Sequence, residues 1–271
     1  MSVLGMRVLS AVLAILLLVL MFWIGGWLID LVLIIVALIG MWEIYHAFSN
    51  KGMYPLKSAG YLAVVLFYIQ HLLFQGKYDF FYILIVIVLL LSMMVWKASA
   101  NCADIAVTIL GIFYPGILIS VAGLIKETEL IHPYYLLYLS LTATYATDTF
   151  AYFVGSLLGK TKLCPAISPN KTIEGSIGGL VGGLIMVVLL GFALNWVYNI
   201  NVHPIHFAAI GFLGGIFSQV GDLTASAVKR YCNVKDFGNL IPGHGGILDR
   251  IDSLLFVLPV VHVYSQLFLM G

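Results

Sequence analysis

Residues 174–198 read EGSIGGLVGGLIMVVLLGFALNWVY, and this stretch decides the kind of fold. After Glu174 it holds no charged side chain. A helix needs about 20 apolar residues to cross the hydrocarbon core of a bilayer, and this run supplies them. Inside lipid the backbone must satisfy its own hydrogen bonds, so a spanning run of this kind is expected to be helical. Gly175, Gly179 and Gly183 recur every fourth residue, and Gly178 and Gly182 do the same. Small residues at that spacing let a second helix approach closely in lipid, which is a statement about packing and not about chemistry. Gly211 and Gly215 repeat the spacing in a later run.

The rest of the chain follows this pattern. Of its 271 residues, 62% are hydrophobic and 9% are charged, with a mean hydropathy of +1.07. A soluble domain carries about 25% charged residues, so this chain cannot cover a water-facing surface. Apolar runs fall at 8–24, 28–48, 58–75, 80–96, 103–125, 133–153, 174–198, 206–228 and 252–270. The expectation is an all-α, polytopic integral membrane protein of about nine transmembrane helices in a single transmembrane domain, 1–271. Within it, 1–130 is read as scaffold helices with dimer contacts and 131–271 as the catalytic helices and loops. No strand pattern stands out. The first run follows Arg7 and has the look of a signal peptide, but it is long and no A-x-A-like site follows it, so a retained helix is expected. The link GGW at 25–27 predicts a tight hairpin between the first two helices.

Placing the N-terminus in the cytoplasm puts Arg7, Lys51, Lys57, Lys97, Lys160, Lys162, Lys171, Lys229, Arg230, Lys235 and Arg250 inside, 11 of the 13 basic residues. Lys77 and Lys126 remain outside. That asymmetry obeys the positive-inside rule. The net charge of +1 gives no reason to expect a nucleic-acid partner. Cys102, Cys164 and Cys232 lack the spacing of a zinc site or a redox pair and fall on the reducing side, so no disulfide is expected.

The acids fall into two groups. Asp30, Asp79, Asp104, Glu127 and Glu129 lie at helix ends or in loops and read as solvated. Glu43 lies within the second run, where it would snorkel or pair with a lysine, and receives no role. Asp148, Glu174, Asp222, Asp236, Asp249 and Asp252 all reach the side that the lysines mark as cytoplasmic. A carboxylate within a membrane costs roughly 2.5–3.5 kcal/mol, so several together need a compensating cation. Asp222, Ser226 and Lys229 share a helical face, as do Asp249 and Asp252. Such faces suit a hard cation, because Mg2+ takes oxygen ligands and leaves room for water and phosphate. An ion-paired network, Asp222 with Lys229 and Asp249 with Arg250 or Arg230, accounts for the same spacing equally well.

Two loops add to this. PGHGG at 242–246 opens the last run, and its glycines would let backbone N–H groups approach an anion beside a helix N-terminus. A tight turn without a ligand reads the same way. GKTKLCPAISPNKTIEG at 159–175 places Ser168 before Pro169, suggesting an N-cap followed by proline at the first helical position. Lys171 and Thr172 would then lie in the first helical turn, facing an anion. Topology alone explains the lysines of this loop but not the Ser-Pro-Asn-Lys-Thr order.

Residues 226–252, SAVKRYCNVKDFGNLIPGHGGILDRID, resemble the signature of the CDP-diacylglycerol synthases, the phosphatidate cytidylyltransferases. Ser226, Lys229, Arg230, Lys235, Asp236, Pro242, His244, Gly245, Gly246, Asp249, Arg250 and Asp252 stand at its motif positions. PAISPNKTIEG at 165–175 and TDTFAYFVG around Asp148 look like two further elements of that family. The resemblance covers the chain from about residue 140 onward. It implies that CTP and phosphatidic acid give CDP-diacylglycerol and pyrophosphate, with Mg2+, in a membrane enzyme that forms a homodimer, and the four carboxylates have room for a second cation. On that reading Asp148, Asp222, Asp249 and Asp252 are the metal ligands. Asp222, Asp249, Lys229, Arg230 and His244 are catalytic. Ser168, Lys171, Thr172, Ser226, Lys235, Gly245, Gly246 and Arg250 bind substrate phosphates. The active site would face the cytoplasm from the inner or plasma membrane. Two rival readings remain: a CTP-dependent polyprenol or phytol kinase, and a transporter of an anionic solute.

Overall fold

The structure, a computed structural model, describes residues 3–96, 101–126, 132, 134–241 and 243–269. Lys97, Glu127, Glu129 and Pro242 lie outside the described residues, as do the side chains of Arg7 and Lys126. The chain is helical almost throughout: α1 (Val3–Ile24), α2 (Trp27–Ser49), α3 (Lys57–Phe74), α4 (Asp79–Trp96), α5 (Cys102–Gly111), α6 (Val121–Lys126), α7 (Tyr135–Leu158), α8 (Ile173–Tyr198), α9 (Pro204–Tyr231) and α10 (Leu248–Phe268). Among the described residues, six helical segments are long and apolar enough to cross a membrane: α2, α3, the segment Cys102–Ile125, α8, α9 and α10. The chain is an all-α integral membrane protein.

The sequence expectation needs two corrections. The run at 103–125 is not one regular helix. Pro115 sits inside a π-helical turn, Ile112–Ile117, followed by a 3₁₀ turn, Leu118–Ser120. Proline has no N–H to give and its ring crowds the preceding turn, which disturbs the α ladder there. A short antiparallel hairpin, β1 (Lys162–Cys164) and β2 (Ser168–Thr172), also lies between α7 and α8, where no strand was expected. Pro169 keeps Ser168 extended, which suits a helix cap and a strand alike, and it is the pairing of Ser168 with Cys164 and of Thr172 with Lys162 that makes a strand. The helix starts later, at Ile173, capped by Thr172, whose Oγ1 accepts the N–H of Gly175 at 3.1 Å.

The chain divides into two compact units. The first comprises 1–120 together with 231–250. The GGW link separates α1 from α2 by two residues, Gly25 and Gly26, both with positive φ. Its core is built on α2, where Ala37, Met41, Ile44 and Tyr45 are fully buried. Gly40 lets α2 meet the π turn: a Cβ there would stand 2.8 Å from Cβ of Pro115. Tyr45 donates its hydroxyl to the carbonyl of Thr108 at 2.9 Å. Asp104, expected to be solvated, is buried and accepts the N–H of Tyr54 at 2.6 Å. The buried carboxylate thereby ties the loop at Tyr54 to α5.

The second unit comprises 121–230 and 251–271. Here the glycine stripe of α8 packs as its spacing predicts. A Cβ on Gly175, Gly179, Gly182 or Gly183 would clash with Ala151, Thr147 or Phe150 of α7. Gly211 and Gly215 bring α9 against Leu184 and Leu180 of α8, and Gly221 brings it against Asp252 and Ser253 of α10. Helices α7, α8, α9 and α10 therefore approach at backbone distance, which carries their polar residues toward one another.

Candidate active site

In the second unit that close packing gathers a charged cluster. Asp148 comes from α7, Lys171 from β2, Asp222 and Lys229 from α9, and Asp252 from α10. Lys171 forms an ion pair with Asp222. Lys229 Nζ lies 3.9 Å from Oδ2 of Asp252, and both side chains are about nine-tenths buried. Asp148 lies between two hydroxyls, Ser218 and Ser253, each at 3.5 Å. Asp222 and Lys171 act electrostatically on Asp148, and Asp222, Lys229 and Asp148 act on Asp252. Ser226 donates to Oδ1 of Asp222 at 3.4 Å, one helical turn away. Of the acids expected to act together, Asp148, Asp222 and Asp252 fall in this cluster and Asp249 belongs to the first unit, while Lys171, expected to face an anion, pairs with Asp222.

Other expected site residues of this unit have definite places at its edge. The exposed Arg230 donates from Nε to the carbonyl of Ile167 at 3.3 Å. Ser168 pairs in register with Cys164 on the hairpin. Glu174 is exposed and accepts the N–H groups of Lys160 and Thr161 at 3.1 Å, ordering the loop ahead of α8.

In the first unit the signature segment forms a turn. Gly243 and Gly245 have φ of 79° and 83°, a left-handed backbone that glycine adopts without strain. Ile241 N–H donates to Gly245 at 2.9 Å and His244 N–H donates to Ile241 at 2.9 Å, closing the turn. Oδ2 of Asp249 accepts two backbone donors, Phe237 at 2.8 Å and Gly246 at 3.0 Å. The N–H of Gly246 is thus given to a carboxylate of the chain itself. Lys235 and Arg250 are exposed at the rim of the segment. Cys232 is buried, and its thiol is pushed up by that burial, against the opposing pull of Lys51.

Glu43 is the residue that sequence reasoning missed. It neither snorkels nor pairs with a lysine in the way expected. It is fully buried and accepts the N–H groups of Ile247 at 2.9 Å and Leu248 at 2.7 Å. A lone glutamate in an otherwise apolar run, with its insertion cost, was the only signal that could have marked it.

Among the described residues, the groups of this cluster suited to ligate a metal offer oxygen: three carboxylates and the hydroxyls of Ser218, Ser226 and Ser253. That set suits a hard divalent cation and not a soft one. Among the described residues, no three of His, Cys, Asp and Glu are gathered so as to hold a metal ion by themselves. Mg2+ does not require such a cage, since one or two carboxylates suffice when water and substrate phosphates complete its shell.

A model of the cytidylyltransferase family matches residues 5–268. The chain is similar to a phosphatidate cytidylyltransferase of Synechocystis sp., 33% identical over 288 residues that cover 97% of each chain. It is 48% identical over 130 residues to one of Staphylococcus haemolyticus, 48% of each chain. A third, of Bacillus subtilis, is 48% identical over 124 residues, 46% of this chain and 45% of that one. The first of these alignments runs through the helices of both halves as well as the signature, and the chain belongs to the cytidylyltransferase family.

Proposed function

We propose that this protein transfers the cytidylyl group of CTP to phosphatidic acid, forming CDP-diacylglycerol and pyrophosphate for phospholipid synthesis. The observation that carries the reading is the end-to-end similarity to a phosphatidate cytidylyltransferase, 33% identical over 97% of the chain. A phosphate oxygen of phosphatidic acid attacks the α-phosphorus of CTP, the bond from that phosphorus to the bridging oxygen breaks, and pyrophosphate leaves with the electron pair. The attacking oxygen is already anionic, so the reaction needs no strong general base. Its difficulty is repulsion between two polyanions.

Lysine and arginine answer that repulsion directly. Lys171 and Lys229 each sit against a carboxylate. In this reading they exchange that partner for a substrate phosphate, with Arg230, Arg250 and Lys235 assisting as charge-assisted donors. Asp148, Asp222, Asp249 and Asp252 are the candidate ligands of Mg2+, and the number of acids leaves room for a second cation. Bound Mg2+ would neutralise the triphosphate and the departing pyrophosphate.

Nine membrane crossings, a cytoplasmic N-terminus and a cytoplasm-facing site are part of the same proposal. The basic residues support it, 11 of 13 falling on one side. CTP is water-soluble and phosphatidic acid lies in the leaflet, so a site at that face meets both. A homodimer is proposed as its assembly. Purified protein with radiolabelled CTP and phosphatidic acid should yield a CDP-lipid and pyrophosphate, lose turnover in excess EDTA, and regain it with Mg2+. Release of CDP in place of pyrophosphate would turn the reading toward a lipid kinase, and activity unaffected by EDTA would remove the cation.

A further inference from the structure

Glu43 takes no part in the transfer as described, yet it is a fully buried acid in a membrane helix. Its carboxylate meets the start of α10, where helix geometry leaves N–H groups without intrahelical partners. Such groups are usually capped by a side-chain oxygen from the residues just ahead of the helix. Here those residues are Gly245, Gly246 and Ile247, none of which has one. Glu43 supplies both oxygens from a distant helix, with Oε1 accepting from Ile247 and Oε2 from Leu248. The positive end of the helix dipole favours its charge. The adjacent amide, Gly246, goes to Asp249, so three successive N–H groups end on two carboxylates.

Two glycines of the segment make room for this contact. A Cβ on Gly246 would stand 2.5 Å from Cδ of Glu43, and one on Gly238 would stand 2.5 Å from its Oε1. We infer that Glu43 is a positioning residue for the transfer reaction: it holds the 243–246 turn and the first turn of α10, and with them His244, Asp249 and Arg250, in their working arrangement. This rests on the cytidylyl-transfer reading. A positioning role has a large kinetic lever, because a displacement of about 1 Å at a reacting centre can cost on the order of 100-fold in rate.

The test uses the full-length protein carrying Glu43→Gln. The amide of glutamine presents an N–H group to a backbone donor at one of its two positions. Turnover per titrated CTP-binding site should fall roughly 10–100-fold, with KM for CTP within about threefold of wild type. Amide hydrogen exchange should quicken at least about tenfold in peptides covering 243–250 while those covering 173–198 stay unchanged. Unchanged exchange at 243–250 would overturn the anchoring. Faster exchange with full turnover per site would overturn the role in transfer and leave a structural cap. A wild-type protein that makes no CDP-lipid would defeat the cytidylyl-transfer reading and the transfer role with it, whereas the exchange result would still judge the anchoring. Should Glu43→Gln fail to fold, Gly238→Ala crowds the same carboxylate and should move both readouts the same way by a smaller factor. No change in either readout in a folded Gly238→Ala protein would count against the inference.

Discussion

Both units place carboxylates in apolar surroundings, and they compensate them differently. In the second unit, Asp222 and Asp252 face the lysines Lys171 and Lys229, and Asp148 faces hydroxyls. In the first, Glu43 and Asp249 accept backbone N–H groups. An ammonium on a flexible stem can change partners when a phosphate or a metal arrives. A backbone amide cannot leave without unfolding its turn. The first kind of compensation can be exchanged for a substrate, whereas the second fixes the turn around the acid.

Substitution at equivalent acids should separate the two kinds. Asp222→Asn is expected to lower CDP-lipid formation by about 1000-fold, the scale of a lost transition-state charge contact, while leaving thermal stability nearly intact. A variant with near-normal turnover would break the comparison at its most important point. Asp249→Asn should reduce activity too, but it should also cost about 1.5–3 kcal/mol of stability, because a charged acceptor of two buried N–H groups is weakened. Equal stability of the two variants in a detergent melt would erase the proposed difference.

Smaller effects sharpen it. Lys171→Ala should weaken kcat/KM for CTP or phosphatidic acid by about 10–100-fold, as expected for loss of a charge-assisted phosphate contact. Unchanged constants for both substrates would free Lys171 from that role. Thr172→Ala removes the cap of α8 and should cost about 1 kcal/mol in a thermal melt. The smallest change concerns Cys232, whose thiol is raised by burial. Because the thiolate is the reactive form, its alkylation in folded protein should require a higher pH than in SDS-unfolded protein. Equal pH profiles would show that the 231–250 segment is loosely packed.

Much of the molecule was legible in the order of its residues. The apolar runs specified helices, because lipid leaves the backbone no other partner. Gly175, Gly179 and Gly183 announced the face on which α8 meets α7. Asp148, Asp222, Asp249 and Asp252 were readable as costly charges that need a cation, but the pairing expected for Asp222, Lys229, differs from the one formed, Lys171. Local competition was harder to read. Ser168-Pro169 looked like a helix start, and pairing with the strand at Lys162–Cys164 made it a strand instead. Pro115 broke a run whose hydropathy alone looked continuous.

The sequence by itself determined the membrane fold, the glycine packing faces and the family, since each depends on composition or on spacing within one segment. Only the tertiary structure decided which cation faces which acid, that Lys171 reaches Asp222 from a hairpin, and that Glu43 holds a turn some 200 residues further along the chain. Hydrogen bonds and ion pairs act over a few ångströms in space and leave no periodic trace along the chain when their partners lie far apart in it.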